Sequence, residues 1–300
     1  MNSAAKQPVG IIGLGLLGTA LAERLLAAGW AVVGCDRAPA RQAALKTLGG
    51  EVDTAAGVAR RCQTILLVLP NSGIVAEVAD EILGELKPSA ILLDATTGDP
   101  QASAQFGKRF AAHDVRYLDT TVAGSSEQAR QRDVVVMMGG PSVALAACRP
   151  IVECFAREVF HLGDWGAGAR MKLVVNLVLG LNRAALAEGL TLAGALGIDL
   201  DVALRVLRSG VAYSRTMDTK GQKMIGRDFE PQARVRQHRK DVGLMLDAAQ
   251  RANARLPLSE LHAELLDRLI AAGYGDADNS AIIEAIEGLA GTMLDERERS

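Results

Sequence analysis

The sequence predicts an α/β domain on a mainly parallel sheet, followed by an all-α domain. Up to about residue 162, short apolar runs rich in β-branched residues alternate with amphipathic stretches, as strands separated by crossover helices do. After "GDWGAG" the strand signals stop and helical periodicity dominates to the C-terminus. At 300 residues the chain exceeds the size at which one core usually keeps growing, so two domains are expected.

The predicted strands are, in order, "VGIIGL", "AVVGCD", "TILLVLP", "AILLDA", "VRYLDT", "VVVMMGG" and "EVFHLG". Helices are expected over 168–196, 200–208, about 234–252 and 258–272. Gly163, Gly166 and Gly168 mark a hinge, which divides the chain into 1–163 and 164–300. No repeat of fixed period and no low-complexity linker interrupts this layout.

Composition narrows the partners. Hydrophobic residues make up 49% and charged residues 23%, and a net charge of -2 offers no basic footprint for nucleic acid. Small molecules, or further copies of the chain, remain. Cys35, Cys62, Cys148 and Cys154 lack CxxC spacing and read as reduced thiols of a cytoplasmic protein. The first long apolar segment carries Glu23 and Arg24, unlike a secretory leader, and the 173–182 run is too short and too polar to span a bilayer. His113, His161, His238 and His262 lack metal-ligand spacing, so no metal is expected.

"VGIIGLGLLGTALAERL" contains GxGxxG at Gly13, Gly15 and Gly18, between a strand and a helix-forming run. Gly13 permits the tight turn, Gly15 lets backbone approach a pyrophosphate, and Gly18 allows close helix–strand packing. Leu16 and Leu17 lie in the same loop and count among the cofactor contacts. The second strand closes on Asp36, where an acid binds adenosine ribose hydroxyls. Strand, glycines, helix, strand and acid in that order predict dinucleotide binding. Asp36 repels a 2'-phosphate and favours NAD, while the adjacent Arg37 could accommodate NADP by swinging over.

In "GAGARMKLVVNLVLGLN", Lys172 and Asn176 stand one turn apart on one helix face within an apolar run. A lysine on a buried surface must be neutralised, paired or used. The bland alternative is an aliphatic stem lying along apolar surface with its ammonium in water. Gly180 and Arg183 continue the same face.

Together, "GLGLLG", "LPNS", "DATTGDP", "DTTVAGSSEQA", "GAGARMKLVVN" and "KDVGLMLDAA" resemble the β-hydroxyacid dehydrogenases, nearly end to end. The resemblance implies a Rossmann-type N-terminal domain and a helical C-terminal domain, joined by a long interdomain helix. It implies hydride exchange with NAD(P), between a small β-hydroxy acid and its semialdehyde or keto acid. Lys172 would then be the general acid/base and Asn176 would help hold the substrate. Thr97 would lie near the nicotinamide ribose, Leu69 and Pro70 at the strand-end turn under the cofactor, and Lys240, paired with Asp241, would reach cofactor or substrate. In relatives the "DTTVAGSS" loop reads Asp-Ala-Pro-Val-Ser-Gly-Gly and holds the substrate carboxylate. Here Thr121 replaces the proline, Ala123 the serine and Ser125 the second glycine. Val122, Ala123 and Gly124 can still offer amides, and Thr121 or Ser125 a hydroxyl. A phenylalanine usual in relatives is Ala233 here, in a polar frame with Arg234, Arg236 and His238. That frame reads either as accommodation of a more anionic or bulkier substrate or as an exposed basic face.

The resemblance also implies a homodimer or homotetramer, and with aromatics only 3% of the chain its interface is expected to be aliphatic. Two rival readings remain. Imine reductases share the architecture but usually lack the lysine at position 172. A catalytically silent dinucleotide-binding module would tolerate loss of Lys172 and Asn176, and both are present.

Overall fold

The computed structural model describes residues 7–289, and its strands are short, those at the centre of the sheet almost wholly buried and β3 and β8 at its edges largely not. They are β1 (Val9–Ile12), β2 (Val32–Cys35), β3 (Glu51–Val52), β4 (Thr64–Leu67), β5 (Ile91–Asp94), β6 (Arg116–Ala123), β7 (Val134–Gly139) and β8 (Ala156–His161). They join one sheet in the order β3-β2-β1-β4-β5-β6-β7-β8. Every neighbouring pair is parallel except β6 and β7. Successive residues of a strand face opposite sides. Ile11, Leu66 and Leu93 therefore enter one core layer, and Ile12, Leu67 and Leu92 the other. A sheet covered on both faces needs continuous apolar strands, which is why the central strands β1, β4 and β5 do not alternate with polar residues.

The covering helices are α1 (Leu16–Ala27), α2 (Pro39–Thr47), α3 (Ala55–Arg61), α4 (Ser72–Ile82), α5 (Pro100–Ala111), α6 (Ser126–Arg130) and α7 (Ser142–Val152). Their starts follow from sequence: Thr54, Asn71 and Asp99 each cap a helix by accepting a backbone N–H, and Pro100 suits the first turn. Chain connections leave β1 toward β2 on one side and lead to β4 on the other. The carboxyl ends of β1 and β4 thus form the topological switch point at which open α/β sheets bind ligands.

The chain divides into two units after Lys172, rather than at the predicted boundary after Gly163. The cause is local: the first turns of α8 (Ala167–Ala195) are bonded to β6. The second unit holds the rest of α8, then α9 (Leu200–Ser209), α10 (Arg215–Ile225), α11 (Val235–Arg251) and α12 (Pro257–Ala271). Its core includes Leu186, Leu190, Leu204, Met217, Met224, Val242, Leu266 and Ile282.

The seven predicted strands and four predicted helices are all present. β3 and α10 were not predicted. β3 is two residues long, too short for any pattern, and α10 buries Thr216 and Lys220 beside its apolar residues, which hides its periodicity. α8 is long and apolar enough to cross a membrane by length and composition alone, although 39% of its most apolar window is buried inside the protein.

Lys220 is the informative polar residue of this core. Its ammonium lies 2.8 Å and 2.9 Å from the two carboxylate oxygens of Asp278, which is fully buried. Burial alone would raise the Asp278 pKa, but Lys220 and the amides of Ser280 and Gln232 hold it at about 2. Removing one partner of a buried pair leaves an uncompensated charge. Lys220→Ala is therefore expected to lower unfolding free energy by about 3–5 kcal/mol, measured by denaturant titration near neutral pH.

Candidate active site

The glycine loop after β1 has the shape its spacing implies. Gly13 has φ +101, a conformation that L side chains rarely adopt, and a Cβ there would also strike the Val68 carbonyl. At Gly18 a Cβ would strike the Gly13 carbonyl, so these two glycines serve the turn and the helix packing. Gly15 differs. A Cβ on it would meet nothing closer than the Arg41 guanidinium at 3.9 Å, so the loop is open there, where α1 begins and its first amides gather. Leu16 is exposed and Leu17 half-buried on the same turn. This cradle fits a dinucleotide pyrophosphate.

Asp36 follows β2, with its carboxylate largely covered. It accepts hydrogen bonds from the Leu14 amide (2.7 Å) and the Ala38 amide (2.8 Å), and Arg41 lies 3.3 Å away. The acid is thereby locked beside the glycine loop. Arg37 turns outward, bonded to Glu77 on α4 at 2.9 Å. Swinging over toward Asp36 would require breaking that exposed pair.

The next two strand ends are joined. The Thr96 hydroxyl accepts from the Leu69 amide (3.2 Å), and the Thr96 amide donates to Asp94 (3.0 Å). Tyr117 on β6 donates its hydroxyl to the same Asp94 carboxylate at 2.7 Å. Leu69 and Thr97 are half-buried and Pro70 is exposed at this edge. Asp94 and Thr96 were missed at the sequence level. The visible signal was an acid closing an apolar strand, followed by two threonines. Burial raises the Asp94 pKa to about 6, against the pull of its bonds to Thr96 and Tyr117.

β6 supplies the third part. It runs as strand through Ala123, paired with Val135, so the predicted loop over 122–124 begins only at Gly124. Lys172 is buried, and its ammonium donates to the Val122 carbonyl at 2.7 Å. Asp119, also missed, accepts from the Gly166 and Ala169 amides. The Thr121 hydroxyl donates to the Gly168 carbonyl at 3.0 Å, which corrects the expectation that it would serve a ligand. Ser125 caps α6 reciprocally with Gln128: its hydroxyl accepts from the Gln128 amide and its amide donates to the Gln128 side chain. The cap uses a lone pair of Ser125 and not its hydroxyl proton.

In the second unit, Asn176 is buried and donates through Nδ2 to Asp241 at 3.1 Å, while the Lys240 ammonium lies 3.1 Å from the other oxygen of that carboxylate. Asp241 thus gathers two of the predicted residues. His238 does not belong to an exposed basic face with Arg234 and Arg236. It is buried with its ring 5.1 Å from that of His262, and the two rings pack where a Cβ on Gly180 would stand. Burial, and the charge of Arg183, push the His262 pKa down to about 4. Among the described residues, no group of three or more His, Cys, Asp or Glu side chains converges to hold a metal.

Comparison with known proteins gives two family matches. Residues 8–163 match the NAD-binding domain of 6-phosphogluconate dehydrogenase, and residues 166–286 match the NAD-binding domain of NADP-dependent 3-hydroxyisobutyrate dehydrogenase. The chain is 30% identical over 291 residues to 2-(hydroxymethyl)glutarate dehydrogenase of Eubacterium barkeri, covering 95% of this chain and 97% of that protein. It is 29% identical over 298 residues to L-threonate dehydrogenase of Escherichia coli K12, covering 96% and 98%. A solved 3-hydroxyisobutyrate dehydrogenase from Salmonella typhimurium superimposes with a TM-score of 0.87 at 29% identity, over 93% of this chain and 99% of that one.

The Asp94 pKa has a consequence for stability. An acid whose folded pKa is raised contributes stability that is complete below its ordinary value of 3.8 and is lost as pH rises through about 6. Asp94→Asn is neutral throughout. Its stability relative to the parent is expected to climb between about pH 4 and about pH 7, by at most roughly 3 kcal/mol. Denaturant titrations at the two pH values measure this, and a pH-independent difference would show that no buried charge is being relieved.

Proposed function

Because the chain belongs to the β-hydroxyacid dehydrogenase family, and so is an NAD(P)-dependent oxidoreductase acting on CH–OH groups, we propose Lys172 as its general acid/base and a small carboxylate-bearing hydroxy acid as its substrate. The observation that carries this reading is the Lys172 ammonium, buried and bonded to the Val122 carbonyl at the end of β6. When bound, the nicotinamide supplies or accepts the hydride. The remaining task falls to the chain. In the oxidising direction the Lys172 amine takes the hydroxyl proton, and in the reducing direction its ammonium gives one to the nascent alkoxide. Proton transfer from a positioned group is typically worth about 10²- to 10⁴-fold in rate. The Val122 carbonyl engages one N–H and so orients the nitrogen.

Asn176 holds the substrate through the part of its amide that Asp241 does not engage, and Asp241 fixes which end of that amide is which. Amides of Val122, Ala123 and Gly124, with the Ser125 hydroxyl, receive the carboxylate. Gly13, Gly15, Leu16, Leu17 and Gly18 hold the pyrophosphate, and Leu69, Pro70, Thr97 and Lys240 are further cofactor contacts. Asp36 receives the ribose hydroxyls, which favours NAD over NADP because a carboxylate repels a 2'-phosphate. Substrates to be tested first are 2-(hydroxymethyl)glutarate, L-threonate and 3-hydroxyisobutyrate, the acids named in the relatives. The four cysteines are unpaired, and burial pushes the thiols of Cys62 and Cys148 up to about 11 and about 12, which suits a reducing cytoplasm.

A screen of these acids and their oxidised partners with NAD(H) and NADP(H) is expected to find one turned over, with the lower KM for NAD. On that substrate Lys172→Ala should lower kcat by about 10²- to 10⁴-fold. Full turnover by the variant would remove Lys172 from the mechanism, and a strong preference for NADP would refute the role given to Asp36.

The subunit partner is a second copy of the chain, in a homodimer or homotetramer. α8 leaves Val174, Val178 and Leu192 half-exposed or more, an apolar stripe at helical spacing. Val178→Glu is expected to shift the protein to a smaller species in light scattering coupled to gel filtration, and an unchanged mass would place the interface elsewhere.

A further inference from the structure

Three residues of β6 grip the start of α8. The Asp119 carboxylate, 1% exposed, accepts from the Gly166 amide at 2.7 Å through one oxygen and from the Ala169 amide at 2.8 Å through the other. Two residues on, Thr121 donates to the Gly168 carbonyl at 3.0 Å. The next residue, Val122, accepts from Lys172 at 2.7 Å. The segment from Gly166 to Lys172 is thus bonded at both ends, and in between, to one strand.

The niche for the carboxylate is cut from three elements. A Cβ on Gly139 of β7 would stand 2.6 Å from one Asp119 oxygen, and a Cβ on Gly168 of α8 would stand 2.8 Å from the other. Gly166 takes φ +84 to turn its amide inward. Burial raises the Asp119 pKa, and the amides of Gly166, Ala169 and Gly168 oppose that rise. A buried carboxylate bonded only for stability is replaceable, since apolar packing of the same volume often does as well. What apolar packing does not supply is angular precision. Two charge-assisted bonds to amides three residues apart fix both the rotation and the height of the helix that carries Lys172.

We propose that Asp119 is a positioning residue for proton transfer, setting the first turn of α8 so that Lys172 meets the end of β6, with Thr121 completing the clamp. This rests on the reading of Lys172 as the acid/base. A misplacement of about 1 Å at a reacting group can cost about 100-fold in rate. Asp119→Asn keeps the shape but turns an –NH₂ toward one of the two amides, so that bond is lost.

The test uses the full-length protein, with the hydroxy acid of highest kcat/KM in the screen above. Asp119→Asn is expected to lower kcat by about 100-fold, leave the KM for the cofactor unchanged, and enlarge the solvent deuterium isotope effect on kcat as proton transfer becomes slow. Independently of turnover, amide exchange at Gly166 and Ala169 should quicken. Thr121→Val, which removes one hydroxyl, should show the same signature more weakly, and it decides the matter if Asp119→Asn does not fold. A fall in kcat with an unchanged isotope effect, or a Thr121→Val enzyme indistinguishable from the parent, overturns the proposal. Failure of the underlying reading is a separate result, full turnover by Lys172→Ala.

Discussion

Parallel pairing of β1, β2, β4, β5 and β6 is the constraint from which the site follows. Strands that run the same way finish at the same edge. Gly13 after β1, Asp36 after β2, Leu69 after β4, Thr97 after β5 and Val122 near the end of β6 are thereby brought to one side of the sheet, though they are scattered through the sequence. No side chain has to be recruited individually. The connecting helices are also oriented by this parallelism, so α1 presents its amide end at the glycine loop where an anion gains most from it. β7 breaks the pattern by running antiparallel, and this frees the end of β6 from a crossover and leaves it for Lys172.

Buried polar groups differ between the units. In the first, Asp94 and Asp119 have no cationic partner among the described residues and are supplied instead with hydroxyl and amide donors. In the second, Lys220 and Asp278 neutralise each other, and three further amides, of Gln232, Ala233 and Ser280, donate to Asp278. The physical demand is the same: a desolvated charge needs compensation close by. In both units amides outside regular hydrogen bonding are drawn in, and the difference lies in the ammonium of Lys220, which the second unit adds to them.

Much of this was legible in the sequence where a residue's reason is local. GxGxxG works through the absence of side chains, and the collisions that a Cβ would cause at Gly13 and Gly18 are the same reason seen in space. The seven strands other than β3 were readable for the same cause. β3 and α10 were not, since one is too short to carry a period and the other buries Thr216 and Lys220 on its inner face. Asp94, Thr96 and Asp119 escaped because their partners lie on other elements: Asp119 meets Gly166 and Ala169, which are 47 and 50 residues away. His238 was read with its neighbours Arg234 and Arg236, but helical geometry turns it to the opposite face, onto His262.

The departures around "DTTVAGSS" can now be separated by what each side chain does. Thr121 stands where relatives have proline, and its hydroxyl is taken up by the Gly168 carbonyl, so the change strengthens the frame. Ser125, in place of a glycine, starts α6 with a capping box and so fixes the turn that follows Gly124. Ala123 is the exception. It exchanges a hydroxyl for a methyl at a half-buried position and gives nothing back to the frame. On the proposed reading, a substrate carboxylate at this edge would meet one side-chain donor fewer than in those relatives, and discrimination among hydroxy acids would draw more on backbone amides. Amides are placed by the strand and not by a rotamer, so recognition on that reading would depend on the register of β6. That register is held by the pairing of Thr121, Val122 and Ala123 with Met137, Val136 and Val135.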